Sequence, residues 1–271
     1  MASRDKKKSK IVKKIFIGFS IILIVAIVVS GLWWNKYLNK NSLLNKFEIT
    51  QKQEVYLLGA FHDYHFNKWL NYSMEDLLSV VQKVNPDVVF LEAREQSFKD
   101  YGVVDGPVDM CVVYSYCTDN DIPVEMIDWW VVDNDFQANT TNDKRDDMIF
   151  ANINNNLNTL PENSKILVIC GGGHFYKQTK RFLNNGFEQK KIQNKKTYFE
   201  SQDENFKYPA SAEDVWEQRA YFYAYTYPDI VEQDNTLDKN IKLEFTGGDH
   251  DAFYKHQMEY CELFSKNELY R

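Results

Sequence analysis

Short apolar runs alternate with helical patterns along most of this chain. Runs rich in β-branched and aromatic residues predict buried strands over 55–61, 87–91, 123–127 and 166–170. This alternation is typical of right-handed βαβ crossovers, and it predicts an α/β domain with a mostly parallel sheet and flanking helices. Apolar positions at helical spacing predict the intervening helices, over 74–84, 108–119, 142–157 and 175–183.

The pattern is less regular after Asn184. Residues 211–225 predict a helix dense in aromatic side chains, residues 241–245 a last strand, and residues 252–264 a last helix. Aromatic residues at helical spacing usually pack in a core. The alternative is that the aromatic helix lines a substrate groove.

A longer apolar run occupies the N-terminal region. Residues 15–34 contain no charge and are numerous enough for a helix to cross a bilayer. The basic residues in 1–14 predict a cytoplasmic tail, which places the remainder of the chain outside the membrane. The polar segment 35–53 is interpreted as a stalk before an extracytoplasmic domain over 54–271. The alternative is a cleaved signal peptide ending near Gly31, although no A-x-A site precedes it.

Charge and cysteine content narrow the possible functions. The net charge is −7 although residues 1–40 hold nine Lys or Arg and one Asp, so the remainder is strongly acidic. An acidic domain argues against nucleic acid as a partner. Cysteines six residues apart on a helix are about 9 Å apart, too far to bridge, so no disulfide framework is predicted. The four cysteines are interpreted as buried free thiols: Cys111, Cys117, Cys170 and Cys261.

Two matching segments carry the candidate chemistry. In VYLLGAFH and in ILVICGGGH, an apolar strand is followed by a glycine, two residues and a histidine, which are His62 and His174. Glu92 follows the 87–91 strand. Because ligands of open α/β sheets bind outside the carboxyl ends of the strands, we expect these three side chains to converge in one crevice. Two imidazoles and a carboxylate suit a divalent transition metal that keeps an open position for water.

These segments together resemble the TraB/TIKI superfamily over residues 54–185. That group includes pheromone-shutdown, TIKI and GumN-type proteins and, more distantly, haem-associated ChaN and erythromycin-esterase-like proteins. The resemblance implies a metal-dependent hydrolase, with Mn, Co or Zn as the metal and a peptide or small molecule as the substrate. The family pattern contains two G-x-x-H motifs, which map onto Gly59 with His62 and onto Gly171 with His174. It also has a Glu after the second strand, which maps onto Glu92, and an Arg on a helix before the second motif, which maps onto Arg145.

The resemblance also assigns functions to these residues. His62, Glu92 and His174 would hold the metal, and Glu92 and Arg145 would be catalytic. Arg145 would bind a substrate carboxylate or stabilise an oxyanion. Independently of the resemblance, sequence position alone makes Asp128 or Glu95 a candidate acceptor of hydrogen bonds from the metal-binding histidines.

Several alternatives stay open at this point. A non-catalytic protein could bind a peptide, a signal molecule or haem in the same crevice. Cys170 and His174 could form a nucleophile pair, but a cysteine inside a buried strand is usually inert. His65 is interpreted as a loop residue rather than an outer metal ligand. His250, in a third G-x-x-H sequence, is interpreted as a solvated residue of a Gly-rich loop.

Overall fold

The computed structural model describes residues 22–32, 39–48, 53–67, 70–135, 143–201 and 207–266. The chain divides into two units, residues 1–42 and 43–271. In the first unit, residues 22–32 are helical and exposed. No helix within the described ranges is long and apolar enough to cross a membrane. The remainder of the predicted membrane segment 15–34, and the basic tail 1–14, lie outside those ranges.

The second unit is organised around a sheet whose parallel strands follow the predicted apolar runs. The strands are β1 (Leu44–Glu48), β2 (Glu54–Ala60), β3 (Val88–Arg94), β4 (Val124–Asp128), β5 (Lys165–Gly171) and β6 (Glu188–Lys190). Their order across the sheet is β4-β3-β5-β2-β1-β6. β4, β3, β5 and β2 run parallel to one another. At the other edge, β1 pairs antiparallel with β2, and β6 pairs antiparallel with β1. The sheet is therefore mostly parallel, and β5 lies between β2 and β3.

Helices flank the sheet, and their bounds agree closely with several predictions. The helix that begins after Ser73 has the predicted N-terminus, because Ser73 and Asp76 form a reciprocal capping box. The helices are α1 (Met74–Val84), α2 (Glu95–Tyr101), α3 (Val108–Asp119), α4 (Asp143–Leu157), α5 (Gly172–Asn184), α6 (Ala212–Tyr221), α7 (Tyr227–Gln233), α8 (Lys239–Thr246) and α9 (His250–Ser265).

The segment predicted as a stalk, 35–53, contributes a strand. Leu44–Glu48 is β1, and its residues Leu44 and Phe47 are fully buried. Phe47 stacks on Phe182 of α5, with ring centroids 4.8 Å apart. Sequence alone missed this strand because its two buried positions are separated by two polar residues and do not alternate as a half-buried strand should.

The strand predicted over 241–245 is wrong, since these residues belong to helix α8. Ile241 and Phe245 are four residues apart and therefore share one helical face, and Phe245 packs edge-on against Tyr227 at 5.8 Å. The alternation of apolar and polar residues over these five positions predicted a strand, but the first and last of them also share one face of a helix.

The aromatic helix predicted over 211–225 contributes to the core, although its Tyr221 is 55% exposed. Trp216 of α6 is fully buried and contacts the rings of Phe66, Tyr260 and Phe264 at 5.4–5.7 Å. A π-helical turn, Phe222–Thr226, continues α6 into α7.

Candidate functional site

Three helices begin at the carboxyl end of the parallel strands, and their first turns surround Glu92. α3 brings Asp109 to this edge, α4 brings Arg145 and Asp146, and α5 brings His174. Helix N-termini carry unpaired N–H groups and partial positive charge, so they are favourable surroundings for carboxylates. We define the Glu92 cluster as Glu92 together with His62, His174, Arg145, Asp109, Asp128 and Asp146.

Glu92 is buried at the centre of this cluster. It lies on β3 where the pairing with β4 shifts register, between Leu91 and Arg94. An irregularity of this kind can redirect a side chain next to an active site. The N–H of Gly171 donates to Oε2 of Glu92, and Arg145 donates to Oε1 at 3.1 Å. Burial raises the pKa of Glu92, and the neighbouring imidazoles oppose that rise.

His62 follows β2 and lies between two carboxylates. Its Nε2 is 4.0 Å from Oε2 of Glu92, and its Nδ1 is 3.2 and 3.3 Å from the two oxygens of Asp109. Burial alone would lower the pKa of His62, but the charge of Asp109 and the hydrogen bond to it outweigh burial. Together with Glu92 they raise the pKa to about 9. Conversely, His62 holds the pKa of the fully buried Asp109 below its usual value, against the effect of burial.

His174 has a parallel arrangement in the first turn of α5. Its Nε2 is 3.5 Å from Oε1 of Glu92, and its Nδ1 is 2.7 Å from Oδ1 of Asp146. Asp146 also accepts a hydrogen bond from Lys177 at 2.8 Å. Burial would raise the pKa of Asp146, but the hydrogen bonds from His174 and Lys177 lower it.

Arg145 is fixed by a two-pronged contact with Asp128. Its Nε donates to Oδ1 at 2.9 Å and its Nη2 to Oδ2 at 2.8 Å, while Nη2 also donates to Glu92. Such paired hydrogen bonds hold a guanidinium in a fixed plane. Burial would lower the pKa of Arg145, but Asp128 more than compensates and raises it.

The aspartates decide where each imidazole carries its first proton. A carboxylate only accepts hydrogen bonds, so the Nδ1 atoms of His62 and His174 must carry the N–H. The remaining nitrogen, Nε2, then faces Glu92 in both rings. When both rings are neutral, the Nε2 lone pairs of His62 and His174 face the negative carboxylate of Glu92 and are repelled by it. A proton or a cation between them removes this repulsion. The cluster is therefore suited to hold either protons or a cation at its centre.

The four predicted site residues, His62, Glu92, Arg145 and His174, converge as the sequence indicated. The predicted partners of the histidines differ from those observed. Asp128 binds Arg145 rather than an imidazole, and Glu95 pairs with Lys99 on the surface of α2. The acceptors behind the histidines are instead Asp109 and Asp146.

Both acceptors had a signal in the sequence that the prediction did not use. Asp109 is an acid within VDMCVVYSYC, an otherwise uncharged helical stretch, and Asp146 directly follows Arg145. Carboxylates are almost never fully buried unless they are paired. An acid in the first turn of a buried helix therefore predicts a cationic or imidazole partner.

The other candidate residues lie elsewhere in the fold. His65, interpreted as a loop residue, lies fully buried in the single 3-10 turn His62–Phe66, within the connection between β2 and α1. His250 is the first residue of α9, and its Nε2 lies 3.1 Å from the carbonyl oxygen of Thr246. All four cysteines are buried free thiols, as predicted.

Replacing Cys170 by serine is expected to damage stability more than function. Cys170 is fully buried in β5, and burial raises the pKa of its thiol well above the usual value, so it is not a ready nucleophile. A serine hydroxyl there would be buried without a designed partner, at a cost of about 1–3 kcal/mol in the free energy of unfolding. Urea unfolding and metal binding measure the two effects, with Cys170→Ala as the control. Loss of turnover at unchanged stability would instead support a Cys–His pair.

The metal-free protein is expected to lose stability as the pH rises through about 9. The folded-state pKa of His62 is raised to about 9, whereas that of an unfolded histidine is about 6.5. Its contribution is therefore fully present below pH ~6.5 and is lost between there and pH ~9. Because the side chain is 31% exposed, we expect on the order of 1–2 kcal/mol. Urea unfolding of the chelator-treated protein and of His62→Gln at several pH values measures this contribution. If the free energy of unfolding depends on pH equally in both proteins, the raised pKa of His62 is contradicted.

Within the described ranges, no three His, Cys, Asp or Glu side chains stand in an arrangement that could hold a metal ion as they are placed. Both oxygens of Glu92 already accept hydrogen bonds, from Gly171 and Arg145. Comparison with protein-family models, with curated proteins and with solved structures finds no match to this chain. The resemblance to the TraB/TIKI superfamily and the metal therefore stay predictions.

Proposed function

We propose that this chain is a metal-dependent hydrolase of peptide or ester bonds whose active site is the Glu92 cluster. The observation that supports this most directly is the convergence of two imidazole Nε2 atoms on one buried carboxylate. Each imidazole is also held from behind by a buried aspartate. A carboxylate behind a histidine is the usual companion of a metal-bound imidazole.

The chemical types of the donors, rather than their present placement, suit a divalent transition metal. His62, His174 and Glu92 would hold it, and two imidazoles with a carboxylate are ligands that zinc, manganese or cobalt accept. A bound ion would lower the pKa of a water molecule and polarise a substrate carbonyl.

The charge balance of the cluster also favours a cation. Four almost fully buried carboxylates lie here, whereas in the described parts of the chain the fixed cations in contact with them are Arg145 and Lys177. Two positive charges are therefore missing, and buried charge without a partner is strongly unfavourable. One divalent ion with neutral histidines supplies them, as do two protonated imidazoles. The carboxylates are Glu92, Asp109, Asp128 and Asp146.

The side chains of this chain have distinct functions in the proposed reaction. Asp109 and Asp146 keep the proton on Nδ1 of each histidine, which leaves Nε2 available. Glu92, the carboxylate that both Nε2 atoms face, would be catalytic as well as a metal ligand. Arg145 is held in place by Asp128 and would offset the negative charge that develops on the carbonyl oxygen.

The test is metal content and chelator sensitivity of the purified full-length chain. We expect about one divalent ion per chain, and hydrolysis in a panel of peptides and esters that a chelator abolishes and Zn²⁺, Mn²⁺ or Co²⁺ restores. If chelators do not affect hydrolysis, the metal proposal is rejected. The two positive charges of the cluster would then come from protonated His62 and His174. Ligand capture without hydrolysis would support the alternative, a non-catalytic binding protein.

We further propose that residues 15–34 anchor the protein in a membrane with the catalytic domain outside. The support is the uncharged run behind a strongly basic flank. Protease added to intact cells is expected to degrade the domain and leave a small anchored fragment. A mature protein that begins near Gly31 and accumulates in the medium would contradict an anchor.

A further inference from the structure

His62 occupies an unusual backbone conformation. Its φ is +52°, in the left-handed region that residues with a side chain rarely adopt. This conformation costs about 1–2 kcal/mol, and it persists only when the surroundings determine it. The residue with the strained backbone is also the one whose imidazole faces Glu92. The contacts that hold this backbone therefore bear directly on the site.

His65 caps the turn that contains His62. The N–H of Phe61 donates to Nε2 of His65 at 2.8 Å, so that nitrogen is unprotonated. The N–H at Nδ1 of His65 consequently donates to the carbonyl oxygen of Tyr72, at 3.0 Å. Both nitrogens are satisfied within the protein, and the ring is fully buried. His65 is thus fixed as a neutral tautomer that accepts from the residue immediately before His62.

Tyr72 holds the other end of the same segment. Its hydroxyl donates to the carbonyl oxygen of Gly59 at 2.9 Å, three residues before His62. Its ring packs edge-on against His65, with centroids 4.4 Å apart, and against Phe61 at 5.6 Å. His65 thus binds the segment 59–62 at Phe61, and the Tyr72 hydroxyl binds it at Gly59. The two residues are joined by the hydrogen bond from His65 to the Tyr72 carbonyl oxygen.

We propose that His65 and Tyr72 are positioning residues that hold the segment 59–62 so that the His62 imidazole lies between Asp109 and Glu92. The proposal rests on the proposed function only in assuming that His62 takes part in binding or turnover. Its support is the set of hydrogen bonds that join His65 to Phe61 and to Tyr72, and Tyr72 to Gly59.

The experiment uses the full-length chain with ¹⁵N-labelled histidine and two measurements. NMR of the imidazole nitrogens reports the tautomer and pKa of His62, and calorimetry reports the affinity for Zn²⁺ alone. His65→Leu removes both hydrogen bonds, His65→Gln retains an amide oxygen that can accept from Phe61, and Tyr72→Phe removes only the hydroxyl. His256→Leu, on the exposed face of α9, is the matched histidine control.

We expect His65→Leu to weaken Zn²⁺ binding about 10–100-fold, as for other residues that orient a ligand. The nitrogen signals of His62 should move away from those of a ring held with its proton on Nδ1 as the contact with Asp109 loosens. His65→Gln should recover part of both, Tyr72→Phe should show a smaller change in the same direction, and His256→Leu should show none. Leu157→Ala, at the far end of α4 from Asp146, controls for lost stability and should leave both readouts unchanged.

The outcomes separate the two proposals. Unchanged His62 signals and Zn²⁺ affinity in a folded His65→Leu chain would overturn the positioning proposal. If that variant does not fold, wild-type values in both His65→Gln and Tyr72→Phe would overturn it equally. If Leu157→Ala changes the His62 signals and the Zn²⁺ affinity as much as His65→Leu does, the effect of His65 is one of general stability, and the positioning proposal is rejected as well. If the wild type binds no Zn²⁺, the metal proposal fails, while the His62 signals still decide the positioning proposal.

Discussion

His62→Ala and His174→Ala are each expected to abolish metal binding and turnover in a domain that stays folded. Each substitution removes one of the two Nε2 atoms that face Glu92. Loss of a direct ligand should exceed the ~10–100-fold effect expected for a residue that only orients one. Elemental analysis and calorimetry with Zn²⁺ measure binding, and circular dichroism checks folding.

Two controls make this result specific. Asp146→Asn keeps an acceptor oxygen behind His174 and should give an intermediate loss, whereas His256→Ala, on the exposed face of α9, should change nothing. Wild-type metal content in both site variants would remove the Glu92 cluster as a metal site. Unfolding of both would show that the imidazoles serve stability instead.

Gly171→Ala is expected to disable the site through a single methyl group. Gly171 has an ordinary extended backbone, with φ −56° and ψ 151°, so alanine causes no conformational strain there. A Cβ at this position would overlap Nε2 of His62 and would come within 3.4 Å of Oε2 of Glu92. The imidazole would have to leave its place, and we expect metal binding to fall at least as far as in Asp146→Asn.

Gly173→Ala is the matched control, two residues further along the same run of glycines. A Cβ there meets no atom within 4 Å, and within a helix alanine restricts the unfolded chain more than glycine does, which favours the folded state. This variant should bind metal normally and unfold at a slightly higher temperature. Equal metal affinity in the two alanine variants would contradict the close approach of His62 to Gly171.

The sequence predicted the parallel part of the fold well because its strands are buried on both faces. Continuous apolar runs such as 166–170 stand out from their surroundings, and the G-x-x-H motifs at two strand ends located the site. The elements that the sequence did not predict are short, and the segment that it predicted wrongly, 241–245, has a pattern that fits both a strand and a helix. β6 has only three residues, and none of them is buried.

The partners of the site histidines could not be predicted from local pattern. Asp109 is 47 residues from His62, and Asp146 is 28 residues from His174. Their contacts follow from where α3 and α4 begin in space, which depends on the strand order. The sequence suggests that these acids need partners, but only the topology shows which partners they have.

The position of β5 has a consequence for how the chain acquires its native state. β2 and β3 are adjacent in sequence among the parallel strands, but they do not pair, since β5 separates them. During synthesis both strands emerge before residue 165, each with an unpaired edge. The central pairing must wait for a strand that is made late, and contacts of such long sequence separation are slow to form. His62 and Glu92 are therefore expected to come together in the same late step that joins β2 and β3 through β5.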